Sequence, residues 1–261
     1  MRLRAASVAL ILLGGSVAAC GTSSGDSGAS SSSGADAQRT LTVYAASSLT
    51  AAFTDLGKQF EAAHRGVTVR FNFGGSSDLV AQISQGAPAD VFASADTKNM
   101  AKAVADDAVE GAPVDFASNT LEIAVPPDNP ADIHTLNDLA RPGTKLVLCA
   151  PEVPCGSAAQ KVEQASGVDL SPVSEEQAVT DVLTKVESGE ADAGLVYVTD
   201  VRAAGDRVKG IPFPESSSAV NTYPIAALSD SESPALAAAF VRLVTGGDGQ
   251  SVLAAAGFAK P

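Results

Sequence analysis

The chain has 261 residues, 45% of them hydrophobic and only 5% aromatic, with a formal net charge of −13. That length can bury one large core or two modest ones, packed mainly by Ala, Val and Leu, as in a soluble protein. The acidic balance, without any Lys/Arg cluster, excludes nucleic acid as a partner, because neutralising phosphates needs grouped basic side chains.

Arg2 and Arg4 open the sequence, followed by the apolar run "AASVALILLGGSVAA", too short for a well-flanked membrane span. The run ends in Val17-Ala18-Ala19-Cys20-Gly21, which resembles a bacterial lipobox. This implies a signal peptide over 1–19 and lipid on Cys20; an ordinary secretory signal cut near Ala19 is the alternative. The Ser/Gly-rich segment 20–39 cannot bury apolar surface and reads as a flexible tether, so the folded body is expected from about Thr40.

"LTVYAAS" (41–47) alternates like a strand, and Leu49, Phe53, Leu56 and Phe60 then recur at helical spacing. "VTVRFNF" is a second strand, "DLVAQISQ" a second helix closed by Gly86, and "ADVFAS" a third strand. From "NTLEIAVPP" (119–127) a second α/β series runs through the strand "KLVLCA", the helix "SAAQKVEQA", the helix "QAVTDVLTKVESG" and the strand "AGLVYV". "NTYPIAAL" (221–228) returns, and two Ala-rich helices close the chain. β-loop-α alternation in two series predicts an α/β protein with two lobes, each a mainly parallel sheet flanked by helices. The expected division is 40–120 with 222–261 in one lobe and 121–221 in the other, joined by crossing strands.

Three strand-to-helix junctions are built of small residues: Ala45-Ala46-Ser47-Ser48, Gly74-Gly75-Ser76-Ser77 and Pro154-Cys155-Gly156-Ser157. Small side chains at a helix start let a ligand reach unpaired backbone N–H groups, where the helix dipole favours negative charge. A single such junction can equally be a flexible turn with a serine cap. Three of them shared between two lobes point to an anion site in a cleft.

If Cys20 carries lipid, Cys149 and Cys155 remain as one pair in "CAPEVPC". In an exported protein this favours a disulfide, with two reduced thiols as the alternative; the spacing fits no zinc pattern. His64 and His134, near predicted helix ends, read as solvated surface positions, as do Asp106-Asp107 and Glu175-Glu176. Tyr223 reads as a packing residue of the returning strand. "SEEQ" (174–177) has the form of a capping box, which would start a helix at Ser174.

"AASSLT", "FNFGGSSDLVAQISQGAPADVFASAD", "PEVPCG", "VESGEADAGLVYVTD" and "YPIAAL" together resemble the molybdate-binding component of bacterial ABC transporters over nearly the whole chain from residue 40. The resemblance implies a type II periplasmic-binding-protein fold whose lobes close on one tetrahedral oxyanion, molybdate or tungstate. It implies donors from the Ser48 and Ser76 hydroxyls and N–H groups, the Cys155 and Val179 N–H groups, and the Tyr197 phenol. For Val179 to donate, the helix must open nearer Gln177 or Ala178 than Ser174. It further implies a monomer without cofactor or catalytic residues, lipid-anchored on the outer face of the cell membrane and serving an ABC permease. A receptor for sulfate or another oxyanion is the nearest alternative, and an exported hydrolase using Ser48 or Ser76 a more distant one.

Overall fold

The computed structural model describes residues 39–261; the expected signal peptide and lipid-bearing Cys20 lie outside the described residues. The first strand, β1 (Arg39–Ala46), takes in the last residue assigned to the tether, because the Arg39 N–H pairs with the Gly66 carbonyl at 2.8 Å. A 3-10 turn (Ser47–Leu49) leads to α1 (Thr50–Ala63), then β2 (Val67–Gly74), α2 (Ser76–Ser84), β3 (Val91–Ala93), α3 (Thr97–Ala105) and β4 (Val109–Asn119). After one intervening residue come β5 (Leu121–Val125), β6 (Leu146–Cys149), α4 (Pro154–Ser166), β7 (Ser174–Glu176), α5 (Val179–Glu187) and β8 (Ala193–Tyr197). Then follow α6 (Val198–Ala204), β9 (Lys209–Ile211), β10 (Asn221–Leu228), α7 (Pro234–Thr245) and α8 (Gly247–Ala256).

The strands form two five-stranded sheets, ordered β2-β1-β3-β10-β4 and β7-β6-β8-β5-β9. In each sheet four strands share a direction and one is reversed, β10 in the first and β5 in the second. The chain passes between sheets at Thr120 and returns into β10, where Asn221 stands in register with Asn119. Each sheet has its own core. In the first, Ala52, Phe53, Leu56 and Phe60 of α1 form one buried stripe, and Phe240 of α7 packs against Phe53 and Phe60 with ring centroids 5.9 and 5.4 Å away. The second core is mostly aliphatic, with Ile123, Val147, Val182, Val186 and Leu195 fully or nearly fully buried. Burying each such side chain contributes roughly 1.5–3 kcal/mol.

The capping-box reading of "SEEQ" does not hold. Ser174–Glu176 is strand β7, and α5 opens at Val179 with Ala178 as its cap residue. The polar groups find tertiary partners instead: Ser174 Oγ donates to Glu176 Oε1 at 2.5 Å, and Lys185 forms an ion pair with the same carboxylate. Glu176 is therefore no freely solvated acid, and Lys185 and Ser174 hold its carboxyl below the usual range. Strand β4 is absent from the pattern-based expectation because "VEGAPVDFASN" is polar and interrupted by Gly111 and Pro113. It survives as an edge strand, where proline costs no ladder bond on the open side.

Candidate functional site

The segments that follow β1, β2 and β3 of the first sheet and β6, β7 and β8 of the second meet at one place. Ser48 lies in the turn after β1, Ser76 is the first residue of α2, and Ala95 follows β3. From the other sheet, Cys155 is the second residue of α4, Val179 the first of α5, and Tyr197 the last of β8. These six residues line a single small cavity together with Ala46, Ser47, Gly74, Gly75, Val153 and Pro154. Thus the five residues singled out from the sequence do come together, each less than a tenth exposed. The cavity is small, with residues of both sheets facing each other across it.

No lining residue is charged. What the cavity offers is donors. The cap residues of α2, α4 and α5 are Gly75, Val153 and Ala178, and none supplies a side-chain hydrogen bond to the helix start. First-turn N–H groups have no partner inside a helix, so those of Ser76, Cys155 and Val179 are left for a ligand. Hydroxyls complete the set. Ser76 Oγ accepts the Ala95 N–H at 3.0 Å, and Ser48 Oγ lies 3.0 Å from Tyr223 Oη. Tyr223 is thus more than the packing residue expected: its hydroxyl backs a cavity hydroxyl.

Burial raises the Tyr197 phenol well above the usual range, with Tyr223, Asp200 and Asp96 adding to the effect, and burial likewise raises Tyr223. Both phenols therefore keep their protons at neutral pH and remain able to donate. Behind Tyr197, Asp200 accepts the Tyr197 N–H at 2.9 Å, and burial pushes its carboxyl up to about 7.

Two glycines mark where backbones meet too closely for a side chain. A Cβ on Gly75 would stand 2.0 Å from the Gln177 carbonyl oxygen of the opposite lobe, and one on Gly156 would stand 2.0 Å from the Ala150 carbonyl oxygen. Beside Gly156, Cys149 and Cys155 form a disulfide with their Cα atoms 5.6 Å apart, closing the loop that presents the Cys155 N–H. The histidines lie elsewhere: His64 stacks on Phe60, and exposed His134 faces Asp132.

A family model described as bacterial extracellular solute-binding protein matches residues 41–259. The chain belongs to that family. Solute-binding proteins similar to it include the molybdate-binding protein ModA of Mycobacterium bovis, 48% identical over 97% of this chain and 96% of that protein. The ModA of Escherichia coli is 36% identical over 71% of this chain and 76% of its own length. Among solved structures, the periplasmic molybdate-binding protein of Azotobacter vinelandii superposes with a TM-score of 0.74 at 23% identity, covering 85% of this chain and 99% of that one. The shared fold is the two-lobed periplasmic-binding-protein architecture expected from the sequence.

Asn221 was not legible beforehand. It is 5% exposed, and its Nδ2 lies 2.8 Å from Ala95 O, 3.0 Å from Tyr197 Oη and 3.4 Å from Pro154 O. In the sequence it is one more polar residue at a strand start; only topology places it behind the cavity.

Proposed function

We propose that this protein captures molybdate, and tungstate with it, outside the cytoplasm and delivers the anion to the membrane permease of an ABC transporter. The observation that carries the reading is one cavity ringed by Ser48, Ser76, Cys155, Val179 and Tyr197, rich in neutral donors and without a charged lining residue. Its similarity to ModA proteins supports the same ligand. Ser48 and Ser76 would each give Oγ and N–H, Cys155 and Val179 their N–H groups, and Tyr197 its phenol. Charge-assisted hydrogen bonds contribute roughly 1.5–3 kcal/mol each. Several of them, less desolvation and closure costs, correspond to a Kd of about nanomolar to micromolar. Neutral donors also reconcile an anion site with net charge −13, since they act at contact range while surface charge is screened within about 10 Å.

In this reading 40–120 with 222–261 and 121–221 are the two closing lobes, the protein acts as a monomer, and lipid on Cys20 holds it at the membrane. It needs no cofactor and performs no catalysis. Ser48 and Ser76 are bonded to Tyr223 and to the Ala95 N–H, and no imidazole is among their partners to activate them. The test is calorimetric titration of the purified protein with molybdate, tungstate, sulfate and phosphate. Molybdate and tungstate should bind and raise the melting temperature by mass action, sulfate and phosphate far less. Equal stabilisation by sulfate would replace the molybdate reading with a sulfate one; labelling of Ser48 or Ser76 by a serine-reactive probe would favour the hydrolase.

A further inference from the structure

A hydroxyl facing an anion is useful only if its proton points at the anion. A serine or tyrosine oxygen can both donate and accept, so the proton's direction depends on what stands behind the oxygen. For Ser76 the answer is fixed by the backbone: the Ala95 N–H can only donate, so Ser76 Oγ accepts from it and its own proton is free for the cavity. Tyr197 has no backbone group in that role. It has Asn221.

The orientation of the Asn221 amide is determined by its neighbours. Ala95 O and Pro154 O are acceptors only, so the side-chain atom 2.8 and 3.4 Å from them is the nitrogen. That same nitrogen lies 3.0 Å from Tyr197 Oη and has two hydrogens to give, which go to its two shorter contacts. Tyr197 Oη therefore accepts from Asn221 and must place its own proton elsewhere. Two directions remain, the cavity and the neighbouring Tyr223 hydroxyl. With a dianion in the cavity the choice is settled, because a hydrogen bond to a charged acceptor is about twice as strong as one to a neutral hydroxyl.

We infer that Asn221 is a positioning residue that fixes the Tyr197 hydroxyl as a donor toward the bound oxyanion. The inference rests on the oxyanion reading and adds its selectivity. With its acceptor lone pair occupied from behind, Tyr197 cannot receive a proton from a ligand O–H, so a hydrogen-bearing anion such as hydrogen phosphate brings a donor that Tyr197 leaves unpaired. Remove Asn221, and the phenol is free to turn and accept. The residue lies at the chain crossing, in register with Asn119 on β4, so the strand that returns from one sheet to the other also orients the site.

The experiment is a double-mutant cycle on the purified protein, read by calorimetry with molybdate and with phosphate. Asn221→Leu keeps the side chain's size and removes its donor; Tyr197→Phe removes the hydroxyl it acts on. We expect Asn221→Leu to weaken molybdate binding about tenfold in the Tyr197 background and hardly at all in the Phe background. Its preference for molybdate over phosphate should narrow. Equal losses in both backgrounds, with unchanged selectivity, would show that Asn221 only ties Ala95 to Pro154 and would overturn the inference. Should Asn221→Leu fail to melt cooperatively, Asn221→Ser takes its place in the cycle. A second readout follows from the absence of tryptophan: the near-ultraviolet difference spectrum on binding comes from only three tyrosines. The molybdate-induced tyrosine shift should be large in wild type and reduced in the Asn221 variant; a shift of unchanged size in that variant also overturns the inference. Wild type that binds none of the tetrahedral anions ends the functional reading itself, and this inference with it.

Discussion

Two helices of the same lobe begin in opposite ways. At α3, Asp96 is the cap residue and its carboxylate accepts the Asn99 N–H at 2.8 Å. At α2, the cap residue is Gly75, with no side chain to do the same. Across the cleft α4 and α5 follow α2, starting from Val153 and Ala178. A good capping side chain is worth about 1 kcal/mol, so the fold forgoes that stabilisation at three helix starts and takes it at a fourth nearby. The three starts that line the cavity lack a capping side chain, as do those of α7 and α8 away from it. In the proposed function, an anion would offset the missing caps at the three cavity starts, a gain not open to those of α7 and α8.

The comparison can be broken most severely at Gly75. Gly75→Ala puts a methyl group against the Gln177 carbonyl, so the lobes cannot reach this closed arrangement. Molybdate affinity should fall at least about 100-fold, roughly 2.8 kcal/mol, with little change in the melting temperature of the ligand-free protein. Small-angle scattering would check it; molybdate-induced compaction equal to wild type would count against the explanation. Next come the hydroxyls that flank the uncapped starts. Ser48→Ala and Ser76→Ala should each weaken binding by about 1.5–3 kcal/mol by calorimetry, and wild-type affinity in both would move the site elsewhere.

The disulfide tests whether an uncapped start must be held in place. Loop-entropy extrapolation to "CAPEVPC" gives about 2 kcal/mol of stabilisation. Reduction should therefore lower the melting temperature and weaken molybdate binding, because Cys155 belongs to both the bridge and the cavity. Lower stability with unaltered affinity would leave the bridge a staple and nothing more. The smallest effect is expected at the capped start. Asp96→Ala should cost about 1 kcal/mol in denaturant unfolding and leave molybdate affinity close to wild type; a large loss of affinity would erase the distinction between the two kinds of helix start.

How legible these features were in the sequence depended on the range over which each is decided. Strands such as "LTVYAAS" and the stripe of Leu49, Phe53, Leu56 and Phe60 are local patterns, and the structure repeats them within a residue or two. The small-residue junctions were equally visible, since their feature is the lack of side chains. Local reading failed where partners are distant in the sequence. "SEEQ" looks like a helix cap until Lys185 claims Glu176. Tyr223 reads as packing until its hydroxyl meets Ser48, 175 positions away. The opening of α5 near Ala178 followed from family resemblance and against the local pattern, which had started the helix at Ser174.

The position of β10 also governs the order in which the protein can be assembled. The second sheet is built from one unbroken stretch, β5 to β9, so its strands can associate as soon as that stretch exists. The first sheet cannot close, because β10 lies between β3 and β4 and is drawn from residues 221–228, more than a hundred positions after them. Pairing at such separations carries the loop-closure entropy that slows folding. Pulse-labelled hydrogen exchange during refolding should thus protect β6 and β8 before β3 and β10; simultaneous protection would refute the order. A chain whose first sheet waits for its C-terminal segment keeps that sheet open for nearly the whole of synthesis.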